Sequence, residues 1–446
     1  MSTDALARAL DRASGARPIP GNAVQLHDAP GALTAMLDGI AAAHHTVDFE
    51  NYVIKADVTG RRFAEALGQA AARGVTVRVL YDPVGCRTTP GRFWRDLGRR
   101  GCAVRAANPP SLLHPLRAFR RDHRKLVTVD GTLGILGGVC IADPWMTGRG
   151  QERPWRDAAI AVRGPAVGAM CSSFTKVWRQ NGGDARTTTS EHDEPQGDAV
   201  VRVVEGFPGA FRLHRAMEFL AATATRQIWI TDAYFVAPPS LMRALIAAAQ
   251  DGVDVRLMVP GQSDLPVVRS FTRVGYRELL RAGVRIWEWH GPMLHSKTAL
   301  VDGERFKVGS SNLNPSSLAG NWELDVIVDD VALAAQAALV FRRDLSEAAE
   351  IVLRLPRLVP ALPPAVVSAH PSLRPPARDL PRRAFRTLRN VAGGARRGLA
   401  GALTFSLAGI GVLLVALPTA VAYVLAVGAF ALAGLAATRA VARRRD

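Results

Sequence analysis

Short runs of β-branched and other apolar residues alternate along the chain with longer runs in which Ala and Leu recur at helical spacing. The strand-like runs include VTVRVL, QIWITDAYF, VDVRLMV and VRIWEW. Strands interleaved with helices in this way are typical of an α/β architecture. The pattern therefore predicts α/β domains for most of the chain before residue 354.

The chain contains an internal repeat. Residues 74–81 (GVTVRVLY) resemble residues 252–259 (GVDVRLMV), and each copy follows a helical run rich in Ala and Leu. Further on, the pattern HxKxxxxD begins at His123 and again at His295, and small residues follow both copies at the same offset. A repeated order of features indicates a duplicated structural unit. We therefore expect two similar domains that form one body.

A further pair of segments extends the repeat past both motifs. Trp155-Arg156-Asp157 precedes the strand-like run AAIAV, and Trp322-Glu323 precedes LDVIV. The order of features predicts an N-terminal extension at residues 1–20, a first domain at residues 21–190 and a second domain at residues 191–353.

Each motif predicts a strand, a tight turn and a returning strand. In HxK the two side chains are two residues apart, so on a strand they project from the same face. Asp130-Gly131 and Asp302-Gly303 are strong hairpin signals. The returning strands end in Gly137-Gly138 and Gly309-Ser310, where small residues allow the backbone to approach a ligand closely.

Two facing copies would place two histidines and two lysines around one pocket. That set suits a phosphodiester: the lysines neutralise the non-bridging oxygens, one imidazole attacks phosphorus and the other protonates the departing alkoxide. This chemistry needs no metal, and we find no HExxH motif or acidic cluster that implies one. The alternative is a repeat kept for packing alone. His44, His45, His214 and His290 lack such a context and are expected to be structural or surface residues.

The basic charge is concentrated at one end of the chain. The 446 residues carry 56 Lys and Arg against 39 Asp and Glu, a formal charge of +17. Most of that excess follows residue 353, whereas a nucleic-acid enzyme would spread it over the folded domain that grips phosphates. The distribution argues against nucleic acid and for a tail that meets a membrane.

The tail has the pattern of a membrane hairpin. Residues 398–438 contain no Asp, Glu, Lys or Arg, Pro418 divides them in two, and arginines flank both ends. Basic flanks prefer the cytoplasm, so a transmembrane hairpin with both ends inside is expected, followed by a basic C-terminus at 439–446. One long tilted span and two buried helices of a soluble domain are the alternatives.

The stretch before this hairpin, residues 354–397, is rich in Pro and Arg and predicts a stiff linker. Arg382, Arg383, Arg386 and Arg389 suit anionic headgroups, or else form a solvated charged face. At the other end of the chain, the first twenty residues contain no stretch apolar enough for a signal peptide, so the N-terminus is expected to be cytosolic. The four cysteines lack pairing motifs and are expected to be reduced, buried thiols.

These motifs resemble those of the phospholipase D superfamily, whose duplicated HxKxxxxD (HKD) motif builds one active site between two halves. The resemblance spans roughly residues 20–345 and is strongest to the bacterial cardiolipin synthases. It is carried by Glu50-Asn51-Tyr52, by residues 60–63 (GRRF), 232–235 (DAYF), 281–284 (RAGV), 293–295 (MLH) and 309–314 (GSSNLN), and by Asn321-Trp322-Glu323.

The resemblance implies a two-step, metal-independent phosphatidyl transfer through a phosphohistidine intermediate, without a cofactor. One phosphatidylglycerol would lose glycerol and a second would supply the accepting hydroxyl, giving cardiolipin. It implies two phospholipase D-like α/β domains with the active site at their interface. The C-terminal membrane helical hairpin, which the sequence pattern predicts after them, departs from the many relatives whose membrane spans precede the catalytic body. The catalytic body would lie on the cytoplasmic face of the inner membrane. No protein partner is indicated.

Residue by residue, the resemblance implies that His123 and His295 are nucleophile and acid–base partner, with His123 favoured as nucleophile. Lys125 and Lys297 would be phosphate ligands, and Asp130 and Asp302 the motif carboxylates. Asp157 and Glu323 would be carboxylates that each orient an imidazole. Gly138, Ser310 and Asn312 would belong to the phosphate pocket.

The first half departs from the family pattern. Cys140 stands where the family usually has Asn, and Asp122 precedes the motif histidine where Asn is common. A thiol is a much weaker hydrogen-bond donor than an amide, so the two halves are expected to be chemically unequal. Two rival functions remain: a membrane-bound phospholipase D that passes the phosphatidyl group to water or a small alcohol, and a non-catalytic lipid-binding scaffold.

Overall fold

Strands and helices alternate along the chain as the pattern predicts. The computed structural model describes residues 3–109, 120–150, 152–184 and 194–353. The strands of these residues are β1 Ile19–Asp28, β2 Thr46–Asn51, β3 Thr76–Tyr81, β4 Ala103–Ala106, β5 Lys125–Val129, β6 Leu133–Gly137, β7 Ala158–Arg163, β8 Ala199–Gly206, β9 Gln227–Asp232, β10 Asp254–Pro260, β11 Arg285–Trp289, β12 Lys297–Val301, β13 Arg305–Gly309, β14 Glu323–Asp329 and β15 Ala348–Ile351.

The helices over the same residues are α1 Thr3–Ser14, α2 Ala29–Ala42, α3 Val58–Ala72, α4 Gly91–Arg99, α5 Asp143–Met146, α6 Ala166–Gln180, α7 Arg212–Thr223, α8 Pro239–Gln250, α9 Pro266–Val274, α10 Tyr276–Arg281 and α11 Val331–Leu345, with a π-helical turn at Ser316–Gly320. Aspartates begin three of them by accepting a backbone N–H of the first turn: Asp28 for α2, Asp57 for α3 and Asp330 for α11.

The described strands join one mixed sheet in the order β15-β11-β10-β9-β12-β13-β14-β8-β1-β7-β6-β5-β2-β3-β4. Strands β1 to β7 form the first half and strands β8 to β15 the second half, and each half holds one copy of the repeat. In both halves the sheet neighbour of the motif strand lies antiparallel to it and parallel to a further strand: β2 lies between β3 and β5, and β9 between β10 and β12. The mixed α/β architecture and the two related halves are confirmed.

The halves join through the antiparallel pair β1 and β8, with an irregular register between Ile19 and Asn22. Beside this seam a single apolar core contains residues of both halves, including α6 of the first and α11 of the second. In β5, Leu126 packs into this shared core, whereas Val127 faces a separate core with α2 and α3. The alternation of faces along a strand thus places helices on both sides of the sheet.

The two predicted hairpins are present. Asp130 and Gly131 have φ of 51° and 65°, and Asp302 and Gly303 have φ of 54° and 69°. Both central residues of such a turn need positive φ, which Asp and Gly tolerate better than most residues. The turns close when the Thr132 N–H donates to the Val129 carbonyl at 3.0 Å and the Glu304 N–H to the Val301 carbonyl at 3.2 Å.

The first twenty residues do more than extend the fold. Leu10 of α1 is buried in the core of the second half with Leu213 and Leu220 of α7, and Asp11 pairs with Arg202 at 2.9 Å. Because β1 begins at Ile19, the end of this segment also belongs to the sheet. The predicted extension therefore completes the core of the half that follows much later in the chain.

The predictions for the linker at 354–397, the membrane hairpin at 398–438 and the basic end at 439–446 lie outside the described residues. No helix within the described ranges is both long and apolar enough to cross a bilayer. The expectation for the cysteines is confirmed, because Cys86, Cys102, Cys140 and Cys171 are all buried free thiols.

Candidate functional site

The two motifs meet where the halves face each other. His123 lies just before β5 and His295 just before β12. Backbone bonds hold each histidine against the other half: the His123 N–H donates to the Trp322 carbonyl at 2.9 Å, and the His295 N–H to the Arg156 carbonyl at 2.7 Å. The histidines are therefore fixed through their own backbone and not only through their side chains.

Each imidazole bonds a carboxylate that belongs to the opposite half. Nδ1 of His123 lies 3.0 and 3.1 Å from the two carboxylate oxygens of Glu323. Nδ1 of His295 lies 2.6 Å from Oδ2 of Asp157. The two carboxylates are themselves fully buried. The site is thus a crosswise pair of His–carboxylate units, and neither half contains a complete unit.

Further hydrogen bonds fix the two carboxylates. Asp157 accepts the indole N–H of Trp145 and the backbone N–H of Ala158, each at 2.8 Å. Glu323 accepts the Ser310 hydroxyl and, at 3.3 Å, the side-chain amide of Asn321. Partners of this kind lock the orientation of the imidazole that each carboxylate holds.

The ionisation states follow from this environment. Burial lowers the pKa of His123, and the ammonium groups of Lys125 and Lys297 lower it further against the opposing effect of Glu323. Burial and Lys297 likewise lower the pKa of His295, to about 4. Burial raises the pKa of both carboxyls, but their histidine and lysine neighbours outweigh it, so the pKa values of Asp157 and Glu323 lie below their ordinary range.

These directions define the tautomer of each ring. The ionised carboxylate can only accept, so Nδ1 of each histidine carries the proton and donates it. Nε2 of each neutral ring is then unprotonated and carries a free lone pair. Both histidines line the same cavity, so that two imidazoles of this kind serve one bound ligand.

The two motif lysines are almost completely buried, and neither belongs to the cavity lining. Each Nζ donates to the backbone carbonyl of its own motif histidine, Lys125 to His123 and Lys297 to His295. Burial, together with the neighbouring ammonium of Lys125, lowers the pKa of Lys297 to about 8 against the opposing charge of Asp157. Two buried cations so close together are stabilised by an anion, and a phosphodiester supplies one.

The cavity has a volume of about 740 Å³ and receives side chains from both halves. Asn312 lines it, and its Oδ1 is buried without a hydrogen-bond partner among the described residues. Cys140, which takes the equivalent place in the first half, also lines the cavity, and its Sγ lies 3.9 Å from the Gly138 carbonyl. The chemical inequality expected from these two positions is present in the cavity wall.

The other departure from the family pattern, Asp122, is buried away from the cavity lining. Burial and the adjacent carboxylate of Glu50 raise its pKa well above the ordinary value, against the opposing charge of Arg124. Arg124 separates the motif residues His123 and Lys125 and pairs with Glu50 at 2.5 Å. Alternate residues of the motif thus face the site and the interior.

The motif aspartates do not join the cluster, which corrects their grouping with the catalytic side chains. The Asp130 carboxylate accepts the backbone N–H groups of His44, His45 and Thr46 at 2.7 to 2.8 Å. The Asp302 carboxylate binds the backbone of residues 225–227 in the same way. Each lies at the far end of its motif strand, about 16 Å from the lysine for five residues at ~3.3 Å each.

Two of the three residues predicted for the phosphate pocket act on the carboxylates instead. A Cβ on Gly138 would lie 2.2 Å from Oδ1 of Asp157, so this glycine makes room for the carboxylate and not for a ligand. Ser310, its counterpart, gives its hydroxyl to Glu323. Neither residue lines the cavity, whereas Asn312 does.

Two tyrosines that are not among the predicted site residues contact the motif residues of the site. The Tyr52 ring lies 4.7 Å from the His123 ring and 5.1 Å from Nζ of Lys125. In the second half, the Tyr234 ring lies 6.0 Å from the His295 ring. Tyr52 follows the last residue of β2 by one position and Tyr234 follows the last residue of β9 by two. A tyrosine just after the corresponding strand of each half was the signal that could have found them.

Comparison with known proteins agrees with this geometry. A family model described as "Cardiolipin synthase, PLD-like domain" matches residues 36–144 and 219–345. The chain is 32% identical over 329 residues to cardiolipin synthase A of Pseudomonas entomophila (strain L48), covering 73% of this chain and 69% of that protein. It is 30% identical over 347 residues to cardiolipin synthase A of Pseudomonas aeruginosa (strain LESB58), covering 77% and 71%.

Among solved structures, phosphatidylserine synthase of Haemophilus influenzae Rd KW20 superposes with a TM-score of 0.58 at 12% identity, covering 78% of this chain and 92% of that one. At this identity the likeness concerns the fold alone.

Proposed function

The chain belongs to the family described as cardiolipin synthase, PLD-like domain, and from this premise we propose that it joins two phosphatidylglycerol molecules into cardiolipin with release of glycerol. Membership makes it an enzyme of the phosphatidyltransferase and phosphodiesterase class that acts on phospholipids. The particular substrate and the acceptor are the proposal.

The crosswise pair of His–carboxylate units is the observation that carries it. Two neutral imidazoles with free Nε2 atoms face one cavity, and a buried ammonium group is bonded to the backbone carbonyl of each. A double displacement at phosphorus needs one nucleophile, one proton donor and cations for the non-bridging oxygens. A scaffold that only binds lipid would not need two oriented imidazoles, so the arrangement favours catalysis.

The first step forms the phosphohistidine. Nε2 of His123 attacks the phosphorus of one phosphatidylglycerol, and the bond from phosphorus to the headgroup oxygen breaks. His295 takes up a proton at Nε2 when the anionic phosphodiester binds, because the anion favours the charged imidazole, and gives that proton to the departing oxygen, so that glycerol leaves neutral. Glu323 stabilises the positive charge that forms on the His123 ring, because its carboxylate accepts the Nδ1–H.

The second step reverses the roles. The terminal hydroxyl of a second phosphatidylglycerol gives its proton to His295 while its oxygen attacks phosphorus. The bond between phosphorus and Nε2 of His123 breaks, which releases cardiolipin and restores the free histidine. Side chains supply every group in this cycle, in line with a metal-independent mechanism.

The assignment of acceptor separates the two enzyme hypotheses. Water in place of the second lipid would give phosphatidic acid, and the site residues are the same in both cases. A phospholipid substrate places the reaction at a membrane surface, and the proposed location is the cytoplasmic face of the cell membrane. The anchoring role of residues 354–446 remains a prediction.

The experiment that tests the proposal uses the detergent-solubilised full-length protein with phosphatidylglycerol alone and resolves the lipid products by mass. Cardiolipin and glycerol are expected, with no product from His123→Ala or His295→Ala. The matched control is His290→Ala, since His290 is exposed and lies outside the cavity lining. Phosphatidic acid as the sole product would replace the transferase with a phospholipase, and no product with any headgroup would leave only the scaffold.

A further inference from the structure

The walls of the cavity carry unequal charge. Four cations that belong to neither motif line it from the first half: Lys55, Arg87, Arg121 and Arg149. Arg121 pairs with Asp82 at 3.5 Å, whereas the other three have no ion-pair partner among the described residues. The second half contributes mainly neutral polar side chains: Asn312, Asn314, Ser316, Ser317 and Asn321. Its one lining carboxylate, Asp264, accepts the Tyr234 hydroxyl at 2.7 Å. One wall of the site is therefore cationic beyond what the two motifs require.

The additional positive charge is found in the first half of the repeat and has no counterpart in the second. The Lys55 N–H donates to the Ile141 carbonyl as the Val236 N–H donates to the Leu313 carbonyl, so Val236 takes the place of Lys55 in the second half. Counting from the paired segments 74–81 and 252–259, Arg87 corresponds to Leu265. A charge that the fold itself required would be expected in both halves, and here an apolar residue takes each place. The cations therefore serve a ligand that approaches one half only.

The backbone holds two of these cations side by side. The Lys55 N–H donates to the Ile141 carbonyl at 3.0 Å. The preceding Ile54 receives the Thr89 hydroxyl on its carbonyl and gives its own N–H to Sγ of Cys86 at 3.2 Å. The segments that carry Lys55 and Arg87 are thus bonded to each other directly beside the cavity.

Arg149 completes the set from a third segment. Its guanidinium carbon lies 5.0 Å from the Trp155 ring centre, and that ring lies 6.1 Å from the His295 ring. Among the residues that the structure describes, no carboxylate lies within ion-pair distance of Lys55, Arg87 or Arg149. Lys55 is half-buried and Arg87 and Arg149 are exposed, so all three are accessible to an anion that enters the cavity.

We propose that Lys55, Arg87 and Arg149 form a second anion subsite that binds the phosphate of the acceptor phospholipid. The inference rests on the proposed function, in which the two substrates carry one phosphate each. Lys125 and Lys297 neutralise the phosphate that reacts. In the acceptor lipid, the phosphate is separated from the attacking hydroxyl by one glycerol unit. It therefore needs cations other than the two motif lysines. The neutral amides and hydroxyls of the other wall suit the hydroxyls of the departing glycerol.

The test compares two acceptors that share the donor step. The full-length protein in detergent receives phosphatidylglycerol together with isotopically labelled glycerol, which is an acceptor without a phosphate. Cardiolipin formation reports transfer to the lipid acceptor, and labelled phosphatidylglycerol reports transfer to glycerol. For the triple variant Lys55→Gln, Arg87→Gln, Arg149→Gln, the ratio of cardiolipin to labelled phosphatidylglycerol is expected to fall about tenfold or more.

A matched control removes the same charge elsewhere. Arg99, Lys176 and Arg179 are exposed and outside the cavity lining, and their combined replacement by Gln is expected to leave the ratio as in the parent protein. The single variant Arg87→Gln, with a smaller fall in the same ratio, covers the case in which the triple variant does not fold, which thermal unfolding reports.

The outcomes separate the two proposals. Equal falls in both products, or no fall in either, would show that these cations do not select the lipid acceptor and would overturn the subsite. A parent protein that exchanges labelled glycerol but never forms cardiolipin would overturn the proposed function itself, and the subsite with it.

Discussion

Nδ1 of His295 lies 2.6 Å from Oδ2 of Asp157, although the two residues belong to different halves of the molecule. The reciprocal pair, His123 and Glu323, is arranged in the same crosswise way. The duplicated motif therefore does not form two sites that happen to be adjacent. Each half supplies the imidazole of one unit and the carboxylate of the other.

The first prediction concerns these carboxylates. Asp157→Asn and Glu323→Gln keep the shape but lose the negative charge, and the amide offers an NH2 donor as well as an acceptor. The ring can therefore adopt the wrong tautomer, and its charged form loses its partner. We expect kcat for phosphatidyl transfer to fall about 100-fold or more in each variant. Steady-state kinetics with phosphatidylglycerol measure it, and Asp251→Asn at an exposed position is the control. Less than a threefold change in both variants would contradict the orienting role.

A second prediction follows from the difference between Gly138 and Ser310. A Cβ at residue 138 would meet Oδ1 of Asp157 at 2.2 Å, so Gly138→Ser displaces the carboxylate that holds His295. Its kcat is expected to fall as far as that of Asp157→Asn, whereas Ser310→Gly, which removes one hydrogen bond from Glu323, loses about tenfold.

The control for this comparison is Gly98→Ser in α4, where nothing lies within 4 Å of an added Cβ. Full activity in Gly138→Ser would mean that the backbone at this position yields easily and that the glycine is not needed for the carboxylate.

A third prediction separates stability from catalysis. Asp130→Ala removes an acceptor of three backbone N–H groups and puts Ala at φ of 51°. The free energy of unfolding is expected to fall by about 2–3 kcal/mol. The activity of the protein that remains folded is expected to stay within about threefold of the parent, because Asp130 lies far from the cavity. A large loss of kcat in a stable Asp130→Ala protein would return this residue to the catalytic group.

The stabilisation from Asp130 also has a defined pH dependence. Burial raises the pKa of this carboxyl, but its backbone donors outweigh burial, and the pKa lies below the ordinary 3.8. A group with a lowered pKa in the folded state stabilises the fold above its unfolded value and loses that effect as the pH falls. The difference in unfolding free energy between parent and Asp130→Ala should therefore shrink below about pH 4, as denaturant titrations at several pH values would show.

A fourth prediction concerns the pH dependence of turnover. One imidazole must be neutral to attack and the other protonated to donate, so kcat/KM is expected to be bell-shaped. The pKa of Lys297 is lowered to about 8, and loss of its charge weakens phosphate binding on the alkaline side.

Burial lowers the pKa of both histidines in the free enzyme, whereas the anionic substrate favours the protonated acid. The alkaline limb of kcat should therefore lie at higher pH than that of kcat/KM. Coincident limbs, or a flat profile between about pH 5 and 9, would count against these assignments.

The sequence anticipated what depends on local pattern and on repetition. The alternation of strands and helices, the Asp-Gly hairpins and the duplication can all be read from residue order, because turn chemistry and strand periodicity are local. The candidate pairing of imidazoles with Asp157 and Glu323 also came from position in the repeat. The two carboxylates could be predicted without knowing that each one bonds the histidine of the opposite half.

The rest depends on contacts between distant segments. Nothing in the HxKxxxxD pattern shows that its aspartate turns toward the backbone of residues 44–46 and away from the pocket, since that contact is tertiary. The role of Gly138 depends on the carboxylate of Asp157, which lies just before the neighbouring strand β7. The packing of α1 on the second half joins residues that are far apart in sequence. Such relationships are fixed by packing and not by composition.

The crosswise pairing also bears on how the protein is made. While the chain is being synthesised, His123 and Lys125 exist long before Glu323 has been added, so the early product holds an imidazole without its carboxylate. The same is true of a first half on its own. An unfinished chain therefore lacks the His123–Glu323 unit, and the complete pair of units exists only when the last strands of the second half have closed on the first.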